Sequence, residues 1–229
     1  MALAVARRLE LEALAASVRV ELASGHKARE VAIAACRQVI QACAASIRSV
    51  HRLDFDGARD TAAEAMRFLR LAQEALAPHP SLAASGPLHD AEKEYAEARL
   101  TAALVTGAPL PGPEDLGVAA ASWLGGLAEA ASELRRHILD RLREGPAQQD
   151  RAEELLAAMD DVYGVLITID FPDAVTGGLR RTTDALRAVL ERTRGDVTTT
   201  VLQARLMVAI ERHMPPGAAA PSESGAAPE

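Results

Sequence analysis

An all-α fold, a bundle of six to seven helices, is predicted by three features of the chain. Apolar residues make up 49% of the 229 positions and aromatics only 3%, so the core must be built from Ala, Leu, Val and Ile. Such small side chains favour closely packed helices over a pleated sheet. Apolar positions also recur at helical spacing along most of the length. The one run with local strand character, VLITID at 165–170, sits inside a longer helical pattern. Finally, Gly and Pro clusters divide that pattern into segments of helix length joined by short loops.

Residues 2–22 and 26–52 are expected to form one long or kinked helix, interrupted near Ser24-Gly25 and closed by His51, Arg52 and Leu53. Asp54 or Asp56 caps the next helix, over about 57–77. Three prolines and a glycine between Pro78 and Pro87 mark a loop. A helix follows over about 88–106, then the turn-rich GAPLPGP at 107–113. The next helix runs from about 114 to 143 and stops at Gly145-Pro146. Residues 148–170 continue the pattern, Pro172 opens a segment to about Arg194, and Gly195-Asp196 separates a last helix reaching about Met214. The chain thus reads as a single domain over 1–214. The Pro/Ala/Ser tail at 215–229 lacks large apolar residues and is expected to be disordered. There is no internal repeat.

A formal charge of −7 and a pI near 5.4 argue against a uniformly basic nucleic-acid binder. The charge is uneven, however. Residues 1–70 carry eleven Lys and Arg against eight Asp and Glu, a net +3, which leaves −10 for the remainder. Within 26–52, Lys27, Arg29, Arg37, Arg48 and Arg52 face Glu30 alone. A mildly basic helix therefore precedes an acidic body. Cys36 and Cys43 are seven residues apart, about 10.5 Å along a helix, too far for a disulfide. Both read as small core residues, in keeping with a reducing cytosol. Met1 to Ala6 is too short an apolar run for a secretory signal, and no stretch of 18 uncharged apolar residues exists to span a membrane. The expectation is a soluble, cytoplasmic protein.

No Walker loop, dinucleotide fingerprint, paired CxxC or HExxH occurs, and no Glu-x-x-His pair of the ferritin-type di-iron kind. The carboxylates are more informative. At about 100° per residue, Asp90, Glu94, Glu97 and Thr101 share one seam of their helix. Leu88, Ala91, Tyr95 and Ala102 flank it on one side, Leu100 and Leu104 on the other. Glu92 falls beside Arg99 and reads as surface. In the following helix Trp123, Leu127, Ala130, Leu134 and Ile138 make an apolar stripe. Glu129, Glu133 and Arg136 lie together away from it, in register with Ser122 and Gly126, whose small size would let another chain or a ligand approach. If the pairs Glu94/Glu97 and Glu129/Glu133 face each other, four oxygen ligands can hold Mg²⁺ or Mn²⁺. Such an ion can activate water and stabilise a phosphodiester transition state. Acidic pairs at these spacings also occur on ordinary solvated faces. Lys27, Arg29 and Arg37 are placed either to contact a phosphate backbone or to form a solvated face, with no aromatic residues interleaved. His89 and His137 read as surface or capping histidines.

At these residues the sequence resembles the translin superfamily, and its Trax (translin-associated factor X) branch more than translin itself. KEYAEA at 93–98 is similar to the E-Y-V-E-A helix motif of Trax, and WLGGLAEAASELRR at 123–136 to the family's Y-L-x-G-x-x-x-x-x-x-E-L-x-R helix. Arg37 to His51-Arg52 has the spacing of the first family helix, and the segment from Asp161 and Tyr163 into the 180s resembles its penultimate helix pair. The similarity covers roughly residues 20–205.

The resemblance implies a seven-helix subunit that assembles into closed, hollow oligomers, commonly octamers. It also implies the activity of Trax-type subunits, Mg²⁺-dependent endoribonucleases acting on single-stranded RNA from an acidic interior. Translin subunits bind RNA and DNA without the full acidic set. Glu94 and Glu97 match the two glutamates of the Trax motif, Glu133 matches a third, and Glu129 stands where Trax has an aspartate. That exchange keeps the charge and lengthens the arm by one methylene. Lys27, Arg29 and Arg37 fall on the helix that lends basic RNA contacts in the family.

The leading expectation is therefore an oligomeric, Mg²⁺- or Mn²⁺-dependent endoribonuclease. Glu94, Glu97 and Glu129 hold the ion, and Glu133 is a fourth ligand or orients one. Arg136 pairs with Glu133 or holds the scissile phosphate. The alternatives are a translin-like scaffold that binds single-stranded RNA or DNA without cutting it, using Lys27, Arg29 and Arg37, and a helical oligomer whose acidic pairs are only surface.

Overall fold

Six long helices and three single-turn helices make up the computed structural model, which describes residues 2–83 and 86–213. In order they are α1 (Ala2–His51), α2 (Phe55–Leu76), α3 (Pro80–Ala83), α4 (Pro87–Thr106), α5 (Pro113–Leu116), α6 (Ala120–Arg143), a 3-10 turn at Pro146–Gln148, α7 (Gln149–Leu166), α8 (Asp173–Thr176) and α9 (Leu179–His213). Among the described residues there is no strand, and VLITID merely ends α7 and enters the connection to α8. The fold class expected from composition and periodicity is the one observed. The expected disorder at 215–229 lies outside the described residues.

The expected interruption at Ser24-Gly25 is absent, and α1 is a continuous 50-residue helix, about 75 Å long. Gly25 costs a free helix about 1 kcal/mol, but here it is buried beneath the α2–α4 connection. A Cβ at that position would lie 3.5 Å from Leu82 and 3.7 Å from His79. From there to the C-terminus, Ala32, Cys36, Val39, Cys43, Ser46 and Val50 form a buried seam at alternating four- and three-residue spacing. This seam packs on α2 and α4. By length and composition alone α1 is apolar enough to cross a membrane, yet its C-terminal half is this core seam. Before Gly25 the helix stands clear of the body, and Leu9, Leu14, Val18 and Leu22 are exposed.

Two further boundaries differ from expectation. The helix expected from residue 114 is split: α5 ends on left-handed Gly117, and α6 begins only after extended Ala119. Conversely, Gly195 lies inside a continuous α9, and none of the described residues comes within 4 Å of a Cβ built on it. Arg135 on α6 holds that stretch by an ion pair with Asp196 at 2.8 Å and a bond to Thr193 at 3.1 Å.

Two side chains read as surface or cap are core. Glu92 is 8% exposed; it accepts from Gln73 Nε2 (2.9 Å), the Ala119 backbone N–H (3.1 Å) and Ser122 Oγ (3.2 Å). A wheel of α4 alone cannot show that the N-terminus of α6, with its unpaired N–H groups and positive dipole end, arrives at that face. His137 is 3% exposed, and burial, with Arg141 beside it, lowers its pKa to about 4. It is neither at the surface nor a cap. His89 joins the Glu92 group, its Nδ1 lying 2.8 Å from Ser122 Oγ. Cys36 and Cys43 are free and buried, as expected, and burial first of all raises both thiol pKa values, that of Cys36 to about 11.

Candidate acidic site

The site lies where α4 crosses α6, beside the C-terminal end of α1. Gly126 makes that crossing close: a Cβ there would lie 2.7 Å from Ala96 Cβ, 2.7 Å from Lys93 O and 2.8 Å from Glu97 N. The small residues of α6 therefore admit α4 of the same chain, not another chain or a ligand. The α4 seam is flanked as expected, by Leu88, Ala91 and Tyr95 on one side and Leu100 on the other, all buried. Along it burial deepens from exposed Asp90 through half-buried Glu94 to Glu97 (8% exposed) and Thr101 (0%).

The crossing brings Glu129 of α6 to Glu94 and Glu97. One carboxylate oxygen from each of the three lies within 4.8 Å of the other two. Glu97 has no hydrogen-bond or ion-pair partner among the described residues. Burial first, then the charges of Glu94, Glu129 and Glu133, push its pKa up to about 8. Burial likewise raises Glu94, with Lys93 opposing and Glu129 and Asp90 adding to the shift.

Glu133, one turn beyond Glu129, stands outside this trio. Its Oε2 is bonded to His51 Nε2 at 2.8 Å, and the His51 side chain is 3% exposed. Leu53, at φ 62°, and the Asp54 N–H bonded to Ser49 O turn the chain immediately after His51. Arg136 does not pair with Glu133. It is exposed and lines an open cleft between α6 and α9 with Arg135, Asp140 and Arg143.

Lys27, Arg29 and Arg37 are all exposed on α1, Arg29 lying 3.2 Å from Glu30. α1 reaches the acidic residues through His51, bonded to Glu133. Along the helix axis Arg37 is about 21 Å from His51, Arg29 about 33 Å and Lys27 about 36 Å. Within one chain these three do not line the acidic trio.

Two site residues escape the sequence reading. Lys93, beside Glu94 in the quoted motif, places Nζ 2.7 Å from Glu129 Oε1 and 3.9 Å from Glu94 Oε1. Adjacency to a glutamate pair was its only signal. His51 and Glu133 are 82 residues apart, and nothing local links them. Tyr95 and Trp123 are framework: Tyr95 is 1% exposed and accepts from Arg99, while Trp123 Nε1 donates to Pro111 O at 2.9 Å.

The six long helices form an all-α fold of translin type, and the acidic crossing lies within it. The solved structures similar to it are of C3PO proteins. AfC3PO, in a crystal structure and in a complex with duplex RNA, matches with a TM-score of 0.75 and 28% identity, over 82% of this chain and 96% of that one. Apo-NeC3PO matches with a TM-score of 0.70 at 18% identity, a likeness of fold alone, over 80% of this chain and 95% of that one. An uncharacterised protein of Methanocaldococcus jannaschii, MJ0175, is 27% identical over 193 residues, 83% of this chain and 84% of that protein. No protein-family model matches the chain. These likenesses support the translin superfamily as a whole and do not single out its Trax branch.

Proposed function

We propose that the chain is a Trax-like, divalent-metal-dependent endoribonuclease acting on single-stranded RNA. The observation that carries this reading is the buried, partnerless Glu97 meeting Glu94 and Glu129 across two helices. A carboxylate so placed is costly without a cation. Three oxygen donors fit Mg²⁺ or Mn²⁺, hard ions that favour carboxylate and water. When bound, such an ion supplies Lewis acidity and lowers the pKa of water. Glu94, Glu97 and Glu129 hold it. His51 Nε2–H donates to one oxygen of Glu133, fixing that carboxylate beside the trio and leaving its second oxygen to orient a ligand or take a proton. Arg136, exposed on α6 about two turns beyond Glu129, holds the scissile phosphate.

RNA binding by the assembly is supported by the likeness to AfC3PO, which has been solved with duplex RNA. Lys27, Arg29 and Arg37 serve as backbone contacts contributed from outside the trio. Assembly into a closed, hollow homo-oligomer, commonly an octamer in the family, is supported by the apolar residues that the first half of α1 leaves exposed.

The test is cleavage of a labelled single-stranded RNA with Mg²⁺, Mn²⁺ or EDTA, beside a Glu94→Ala/Glu97→Ala double variant. Metal-dependent cutting lost in the variant is expected. Cutting that survives in the variant overturns the assignment. Salt-sensitive binding without cutting, lost when Lys27, Arg29 and Arg37 all become Ala, selects the non-catalytic RNA or DNA scaffold instead.

The raised pKa of Glu97 gives the cation a pH dependence. The folded, metal-free chain keeps this carboxyl protonated up to about pH 8, so a cation must displace its proton. Apparent Mn²⁺ affinity is therefore expected to rise by up to about tenfold per pH unit between about pH 6 and 8, then level off. Calorimetric titrations across that range check it, and a flat profile contradicts displacement of a Glu97 proton by the cation.

A further inference from the structure

We propose that Lys93 is an internal counter-cation of the acidic site, competing with the divalent ion for Glu129 and so setting the ion concentration at which the site fills. The inference rests on the metal-site reading above.

Three observations carry it. The Lys93 ammonium lies 2.7 Å from Glu129 Oε1 and 3.9 Å from Glu94 Oε1, so its one positive charge is shared between two of the three carboxylates that converge here. Its stem runs across α6 at Gly125, where an added Cβ would lie 3.2 Å from Lys93 Cγ and Cδ, so the glycine leaves a track for the lysine to reach Glu129. Glu97, 8% exposed, faces the same group with no bonded partner among the described residues, so the single lysine charge falls short of the charge the three carboxylates can carry.

Two positive charges cannot occupy this half-buried group together without strong repulsion. A lysine stem is flexible enough for its ammonium to swing towards solvent when a divalent ion arrives. Glu129 then exchanges one cation for another. Lys93 thus has two effects of opposite sign. It holds Glu129 and Glu94 together across the α4–α6 crossing when no ion is bound, and it raises the threshold for ion binding.

The experiment measures Mn²⁺ binding to the full chain by isothermal calorimetry without RNA, and melting temperature in EDTA and in Mn²⁺, for the unmodified protein, Lys93→Met and Lys93→Arg. Methionine keeps the stem over Gly125 and removes the charge. The expected result is about tenfold or more tighter Mn²⁺ binding by Lys93→Met, a lower melting temperature in EDTA, and a larger rise on adding Mn²⁺. Lys93→Arg keeps its charge and is expected to bind like the unmodified chain. If Lys93→Met does not fold, Lys93→Gln, whose amide still donates to Glu129 without charge, provides the measurement. Unchanged or weaker Mn²⁺ binding by the neutral variants, while the unmodified chain binds, overturns the proposal. Failure of every form to bind Mn²⁺ overturns the metal-site reading beneath it.

Discussion

Glu97→Gln is expected to abolish metal-dependent RNA cleavage, by about a hundredfold or more, while making the metal-free protein more stable. The two effects have one cause. In the unfolded chain Glu97 ionises in the ordinary carboxylate range, whereas in the folded chain burial and the neighbouring carboxylates hold its pKa at about 8. A carboxyl whose folded pKa is raised contributes stability that is complete below its unfolded pKa and is lost as pH rises through the folded value. Above about pH 8 the metal-free protein therefore carries a largely buried charge with no bonded partner among the described residues. Glutamine keeps the shape, removes that charge and is a poor ligand for a hard cation. A gain of about 1–3 kcal/mol is expected at about pH 8.5 in EDTA, or about 2–4 °C in melting temperature for each kcal/mol. The gain should shrink towards about pH 5, where the folded carboxyl is already neutral. Thermal unfolding across pH and the cleavage assay check the two halves together. A variant less stable than the parent at high pH contradicts the placement of Glu97, and retained cleavage contradicts its role.

Gly126→Ala is expected to have the second largest effect, on fold and site at once. The added methyl meets Ala96 Cβ and Lys93 O at 2.7 Å and Glu97 N at 2.8 Å. Two of these are backbone atoms of α4, which cannot rotate away, so the helices must part. Overpacking of this kind costs about 1–3 kcal/mol. Because Lys93, Glu94 and Glu97 lie on one side of the contact and Glu129 on the other, parting it separates the carboxylates. Mn²⁺ affinity should fall with stability, as read by calorimetry and urea unfolding. Gly195→Ala is the control: nothing lies within 4 Å of its Cβ in α9, and a gain of about 0.5–1 kcal/mol is expected. Equal behaviour of the two variants rules out the close crossing as the device that assembles the site.

Much of this was legible in the residues. The shortage of aromatics and the wealth of alanine determined a closely packed helical core, because small side chains bury best between helices. Spacing along α4 determined that Asp90, Glu94, Glu97 and Thr101 share one seam between apolar flanks, because helical geometry is local. Helix continuity was not local. Gly25 and Gly195 look alike as breakers, and α1 and α9 pass through both because neighbouring elements order these stretches more strongly than glycine loosens them. Glu92 looked like surface and is core because its hydrogen-bond donors come from α2 and from the N-terminus of α6. The pairing of His51 with Glu133, of Lys93 with Glu129, and of Glu129 with Glu94 and Glu97 belongs to tertiary structure alone. Each depends on the angle and closeness at which α6 crosses α4 beside the end of α1, and the clearance at Gly126 decides that closeness.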